Sequence, residues 1–532
     1  MIEKILLQSI IYFRKINWFS RKICNFPEEF LFLKDASPFI PGNADNGTSV
    51  SGLKKSCFPC ILYGSEEKIF HNEMKEVFMI IQDLFKDRTF NRKLWSLTFP
   101  ITLQSLMLAL VAAADALMLG LLNQDAMAAV SLATQVQFVQ NMLLGGIVAG
   151  VGILGAQYWG KKDKVVLGRI FGLSVQETMI VSVLFFIGCF FYPEKLMYLF
   201  AHDKELVRLG AEYLKVASWS YLLTGISQSY LAVMRVTDHA SRSAWISSGA
   251  VVLNIVLNVI FIFGFLGIPS MGVKGAALAT VFARAIELIW CVISSFEKSY
   301  IRLRLKYIFH IEKALLFDFW KYSFPVLGAY MLWGTGFTAY TALMGHMGPD
   351  AAAANAIAAV VRDLMCCLCN GVAGGSAIIV GNELGAGNLE QGKRYGSRVT
   401  LLSFLIGFFS MFVILGSIPL VSHFIKLTDQ AHDYMVGMFL ILSVYMIGRC
   451  VCTVVINGVF SAGGDTLFDV YSLAVCMWGI ALPIAFAGAF WFHWPVLVIY
   501  GCTCLDEVGK VPWVVHHYKK YKWVKNITRE GI

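Results

Sequence analysis

FPITLQSLMLALVAAADALMLGLLNQDAMAA at residues 99–129 and FPVLGAYMLWGTGFTAYTALMGHMGPDAAAA at 324–354 together decide the fold. They align without a gap at an offset of 225 positions, Phe99-Pro100 against Phe324-Pro325 and Asp125 against Asp350. Each begins with an apolar run of roughly twenty residues, the length that crosses a bilayer as a helix. Further runs of this kind follow each stretch, separated by short charged or Gly-containing links. Two copies of one multi-helix unit are the economical explanation. The register is expected to slip by one farther along, where Gly155-Ala-Gln-Tyr-Trp-Gly faces Gly381-Asn-Glu-Leu-Gly-Ala.

Working outward, the whole chain carries the same signature. Of its 532 residues 57% are hydrophobic and only 15% charged, and its mean hydropathy is +0.64. That polar surface cannot clothe a soluble globule of this size, so the chain belongs in lipid. The fold class is therefore an all-α membrane protein with about twelve transmembrane helices, in two pseudo-symmetric six-helix lobes around a central cleft. An even number of spans per copy gives both lobes the same orientation, related by an axis along the membrane normal. The expected organisation is an N-terminal extension at 1–90, an N-lobe at 91–297, an inter-lobe linker at 298–317, a C-lobe at 318–515 and a basic tail at 516–532. The extension contains Cys57 and Cys60 and no convincing span. Its role is unassigned, and Met74 and Met79 are alternative translation starts.

Lys and Arg set the orientation. Arg88, Arg92 and Lys93 precede the first span, Lys161, Lys162 and Lys164 follow the second, and Lys393 and Arg394 follow the eighth. With Lys519, Lys520, Lys522 and Lys525 at the tail, the basic side reads as cytoplasmic, with both termini inside a multi-pass cytoplasmic (inner) membrane protein. The net charge of +9 is then a topological signal, and lipid headgroups rather than nucleic acid are its partner. Several motifs carry nothing. Gly150, Gly152 and Gly155 imitate a dinucleotide fingerprint but sit within an apolar helix. Gly387, Gly392 and Lys393 imitate a phosphate loop, but Arg394 stands where a hydroxyl would hold magnesium. No nucleophile stands beside a His and a carboxylate, so no enzyme activity and no cofactor is expected. Cys366, Cys367 and Cys369 are expected to pack as small apolar residues.

A carboxylate in mid-span costs about 2.5–3.5 kcal/mol on insertion scales and is a functional candidate by default. Asp115 is such an acid, roughly 10 Å from the outer end of the first span. Asn254 and Asn258 share one face of the fifth span, and Thr280 lies at a similar depth in the sixth. One carboxylate with amide and hydroxyl oxygens suits a hard cation such as Na+, and the carboxylate alone suits a proton. Hydrogen-bonding glue between helices remains the alternative. The cleft is expected to be lined by Gln104, Gln135 and Gln137, by Tyr330 and Trp333 as aromatic faces for an organic cation, and by Arg362 and Asp363. Those two are adjacent and are expected to face different directions rather than pair. Arg284 and Glu287, three apart in the sixth span, are expected to neutralise each other near its cytoplasmic end. The second lobe offers no matching set, since Asp115 aligns with Tyr340 and the fifth-span asparagines align with apolar positions of the eleventh.

DLFKDRTFNRKLWSLTFPITLQ at 83–104, NIVLNVIFIFG at 254–264, AALATVFAR at 276–284 and GNELGAGN at 381–388 together resemble the multidrug and toxic compound extrusion (MATE) family, over about 85–522. The resemblance implies a V-shaped two-lobed antiporter that expels bulky, often cationic organic compounds or drugs in exchange for H+ or Na+. Its expected partners are small organic substrates and membrane lipid, with a monomer as the working unit. It also implies a first-lobe cation site at Asp115, Asn254, Asn258 and Thr280. The family pattern has an acid where this chain has Asn258, which weakens a sodium site and favours protons. A lipid-linked sugar flippase of a related two-lobed type is the alternative function, and would want a wider, strongly cationic cleft.

Overall fold

The computed structural model describes residues 87–530, positions 266, 298, 310, 311 and 426 excepted. The extension at 1–86, with Cys57 and Cys60, lies outside the described residues. The N-lobe comprises α1 (Arg88–Leu122), α2 (Gln124–Gly160), α3 (Lys164–Phe191), α4 (Lys204–Val236), α5 (Ala240–Phe263) and α6 (Gly272–Ser295). The C-lobe comprises α7 (Lys313–His346), α8 (Pro349–Gly385), α9 (Leu389–Phe424), α10 (Asp429–Phe460), α11 (Leu467–Phe490) and α12, a rod broken into Val496–Thr503, Leu505–Val508 and Val511–Lys519. Among the described residues, nine helices are long and apolar enough to cross a membrane. The rods outside that set are α4, α7 and the broken α12. Helix α4 packs against α2, α3 and α6, and its shielded faces tolerate Ser220, Thr224, Ser227 and Ser229, whose hydroxyls bond carbonyls of their own helix.

Short polar signals set the helix ends. Asp163, Asp203 and Thr428 cap the starts of α3, α4 and α10 through their side-chain oxygens, each stabilising by about 1 kcal/mol. Asn123 joins α1 to α2 alone: its N–H bonds Leu119 O and its side chain caps Ala126 N. Its repeat counterpart is Gly348, whose φ of +114° takes the chain from α7 into α8 by a backbone turn that favours glycine.

The repeat is most visible where the lobes meet. Helix α1 packs on α8, α2 packs on α7, and α2 crosses α8, so the first two contacts interchange under a twofold and the third maps onto itself. Side-chain detail obeys the same rule. A Cβ on Gly146 would lie 2.8 Å from Leu327 Cα and one on Gly150 would strike Ser323. A Cβ on Gly371 would strike Thr102, and one on Gly375 would lie 2.9 Å from Thr98 Oγ1. Each residue of the first set is 225 positions from its equivalent in the second. Gly160 presses on the Asn382 carbonyl and Gly385 on the Gln157 carbonyl, while Ala156 and Gly381 face each other near the axis. The expected one-residue slip is therefore absent at this seam: the offset remains 225 through Gly160 and Gly385, because each glycine must meet its partner's backbone. Ion pairs follow the symmetry at the level of helices, the two acids being 225 positions apart and the two arginines one helical turn out of register. Asp87, at the start of α1, pairs with Arg398 of α9 at 2.5 Å, and Glu312, at the start of α7, pairs with Arg169 of α3 at 2.5 Å. The Thr89 hydroxyl, the Phe90 N–H and Arg398 hold the Asp87 carboxyl well below the usual carboxylate range.

The linker and tail are more tightly docked than their composition suggests. Within the linker, Leu305–Phe309 is helical, and Tyr307 packs over Gly168 and Gly172 of α3. Beyond α12 the tail enters the seam between the lobes. Trp523 is fully buried against Gly396 and Gly463. Gln157 of α2 donates to Ala462 O at 2.7 Å and accepts from Ile527 N at 2.8 Å. Asn526 donates to Gly385 O at 3.2 Å, Lys161 donates to Arg529 O at 2.7 Å, and Arg529 grips Asp318 of α7 with two nitrogens at 2.5 and 2.6 Å. The tail thus bonds helices of both lobes.

Two stability outcomes follow. Gly150→Val and Gly375→Val, at equivalent positions, should each destabilise the detergent-solubilised protein by about 1–3 kcal/mol through overpacking, whereas Gly152→Val, whose added Cβ meets no atom within 4 Å, should be much milder; melting temperatures check the contrast. Removing residues 521–532 should lower the melting temperature by roughly 3–6 °C through loss of these bonds and the Trp523 burial, and Arg529→Ala should account for part of that loss.

Candidate functional site

Asp115 is half-buried in α1, facing the fifth and sixth helices. Asn258 Nδ2 donates to Asp115 Oδ1 at 2.5 Å and to Asn254 Oδ1 at 3.2 Å, and Asn254 Nδ2 donates to Thr280 Oγ1 at 3.3 Å. The structure therefore brings all four sequence-selected residues into one hydrogen-bonded chain across α1, α5 and α6. The local reason is helical spacing: Asn254 and Asn258 stand one turn apart on α5, and α5 packs on both α1 and α6. Asn258 is wholly buried and Asn254 nearly so.

A cavity of about 460 Å³ opens beside this chain, lined by Asp115, Asn254 and Thr280 together with Gln137, Asn141, Tyr213 and Arg284. Arg284 pairs with Glu287 at 2.7 Å, as expected. Its position is different from that expected. One turn beyond Thr280 on α6, Arg284 shares the cavity with Asp115 rather than serving only the cytoplasmic end.

A sodium ion needs several free oxygens at short range. Here Asp115 Oδ1, Asn254 Oδ1 and Thr280 Oγ1 each already accept an amide N–H from within the cluster. Asn258 Oδ1 is buried without a partner among the described residues. One carboxylate, amide donors turned toward the oxygens and a guanidinium in the same cavity make a donor-rich surround for any bound cation. A carboxyl that gains and loses a proton needs none of these oxygens freed.

The other cleft candidates disperse. Gln137 lines the cavity, but Gln135 is exposed and does not. Gln104 is buried lower in α1 and accepts from Arg235 at 3.2 Å. Tyr330 packs against Gly145 of the opposite lobe. Trp333 already has a cation over its ring, the guanidinium of Arg449 at 5.6 Å. Arg362 and Asp363 do form an ion pair, Nε to Oδ1 at 2.9 Å. The expectation that neighbours on a helix cannot pair fails because the arginine is long enough to curl back along the helix surface, with its guanidinium over Phe337 at 4.6 Å. Cys369 packs against Cys450 in the C-lobe interior.

The second lobe is not devoid of buried charge. Glu507 accepts from Arg449 at 2.5 Å and from Lys510 at 3.3 Å, with both Glu507 and Lys510 buried in the lobe. Its neighbour Asp506 is 1% exposed, and neither of its oxygens has a partner among the described residues. Asp506 borders a small cavity of about 30 Å³ with Tyr340, Tyr445, Tyr500 and Arg362. The signal was available: Asp506, Glu507 and Lys510 fall inside an apolar span, the rule that singles out Asp115.

Comparisons with known proteins agree on the family. The MatE family model matches residues 100–260 and 325–487, one copy per lobe. An uncharacterized transporter of Bacillus subtilis, YisQ, is 24% identical over 403 residues, 75% of this chain and 87% of that protein. A probable multidrug resistance protein NorM of Mesorhizobium japonicum is 25% identical over 410 residues, 75% of this chain and 86% of that protein. Among solved structures, a D35N mutant of the Vibrio cholerae MATE transporter VcmN superposes with a TM-score of 0.75 at 15% identity, covering 82% of this chain and 98% of that one. A MATE structure in complex with MaL6 gives 0.74 at 17% identity, covering 81% and 97%. With the family model matched once in each lobe, over its first five helices, and the repeat preserved at the seam, the chain belongs to the multidrug and toxic compound extrusion (MATE) family of membrane transporters.

Proposed function

We propose that this transporter exports bulky organic, often cationic, compounds across the cytoplasmic membrane in exchange for inward movement of a proton, the two lobes exposing the cleft to either side in turn. The observation that carries this reading is the Asp115–Asn258–Asn254–Thr280 chain at the wall of a cavity large enough for a substrate group. The relatives named as multidrug resistance proteins support the substrate class.

Physical reasons favour coupling at Asp115. Neutralising a carboxylate inside the lobe changes the free energy of each lobe arrangement by a different amount, which is what coupling requires. One charge moving down the membrane potential supplies about 2.3 kcal/mol per 100 mV, enough for tens-fold accumulation. The lone acid and the amide N–H directed at it favour a proton over sodium. The basic links around Lys161 and Lys393 favour a cytoplasmic location for that side and for both termini.

In liposomes, Asp115→Asn should reduce gradient-driven efflux of organic cations more than about tenfold while leaving membrane insertion intact, and Asn258→Ala should have a smaller effect. Wild-type efflux should run on a pH gradient without sodium, and transport that stops on sodium removal with the pH gradient maintained would refute proton coupling. For topology, single cysteines near Asp125 and Asp350 should react with an impermeant thiol reagent added outside whole cells, and ones near Lys162 and Lys393 should not.

A further inference from the structure

The family resemblance implies a two-acid cation site in the first lobe, and this chain departs from it at Asn258, an amide in place of the second acid. A guanidinium, Arg284, also lines the cavity. It has its own machinery. Glu287 is completely buried, its Oε2 pairs with Arg284 Nη1 at 2.7 Å, and its Oε1 has no partner among the described residues. An unpaired carboxylate there would be costly, so Glu287 pins the guanidinium in place. The spacing on α6 aims Arg284 along the face that carries Thr280, four residues earlier, and both side chains line the cavity with Asp115 and Asn254.

We propose that Arg284 is a specificity-determining residue: a fixed internal counter-cation, anchored by Glu287, that excludes alkali cations from the first-lobe cavity. This rests on the coupling role given to Asp115. A tethered guanidinium lines the same cavity as Asp115, the only carboxylate lining it among the described residues. It repels a second cation through a partly desolvated space, where Coulomb energies exceed those in water. A proton is not excluded in the same way, because it becomes part of a neutral carboxyl group and needs no ring of oxygens. The anchor also explains why a costly ion pair is kept in α6: without Glu287, the guanidinium would itself be an uncompensated buried charge.

Sodium binding to the purified protein tests the proposal without requiring transport, so its outcome is separable from the Asp115→Asn efflux result. Melting temperature is followed as sodium chloride replaces choline chloride at constant ionic strength. Wild type and Arg284→Lys should show no sodium-specific shift. Arg284→Gln, which retains a donor for Glu287, should gain a sodium-specific rise of about 2–4 °C at high millimolar sodium, and Arg284→Gln with Asp115→Asn should lose it again. If Arg284→Gln does not elute as a folded species, the double substitution Arg284→Met with Glu287→Gln removes both buried charges and gives the same reading. A sodium-specific shift in wild type equal to that of the charge-removed variant overturns the proposal, as does no shift in any folded variant lacking Arg284.

Discussion

Everything in this fold depends on the close approach of the lobes along α1, α2, α7 and α8. Between helices in lipid, hiding apolar side chains gains little, because the hydrocarbon outside is as apolar as leucine. Contact must come from backbones brought near enough for dispersion and polar contacts, and only missing side chains allow that. Gly146, Gly150 and Gly160 on α2, with Gly371, Gly375 and Gly385 on α8, supply the space. A duplicated unit makes the requirement self-consistent, since each glycine that admits a partner in one lobe has an equivalent that admits the partner's equivalent in the other. The ion bridges Asp87–Arg398 and Glu312–Arg169 add a polar rim that joins equivalent helices, α1 to α9 and α7 to α3.

On this symmetric frame the chemistry is asymmetric. The N-lobe holds one carboxylate at a cavity wall, buffered by two asparagines, and keeps a guanidinium in reserve against Glu287. The C-lobe places Tyr340 where Asp115 stands and concentrates its charges elsewhere, with Arg449 and Lys510 converging on Glu507. Both arrangements follow one constraint: a charge removed from water is costly unless an opposite charge or a polar partner stands nearby. Where the match is internal, as at Glu507, the cluster is closed. Where one charged group faces a cavity, as at Asp115, a partner from outside can complete it.

Much of this was readable from residues alone. The gapless alignment of 99–129 with 324–354 gave two copies, and runs of apolar residues gave the helices, because length and hydropathy are properties of a segment. Asp115, Asn254, Asn258 and Thr280 were also recoverable, since a carboxylate in a span is conspicuous and the depth along a helix follows from counting residues. The second-lobe cluster is equally conspicuous at Asp506 and Glu507, although neither acid has an equivalent in the first-lobe set.

What the sequence by itself determined was segmental: an all-helical membrane protein, its duplication, the basic side and the depth of its polar residues. What only the tertiary structure decided was which side chains meet. It showed that Arg284 faces the cavity with Asp115, that Arg362 curls onto Asp363, that Trp333 is covered by Arg449, and that the tail enters the seam through Trp523 and Arg529. The reason is physical. Periodicity fixes the direction of a Cβ around its own helix, whereas contact between helices depends on their crossing and on how far a flexible side chain reaches, and neither is a property of one segment.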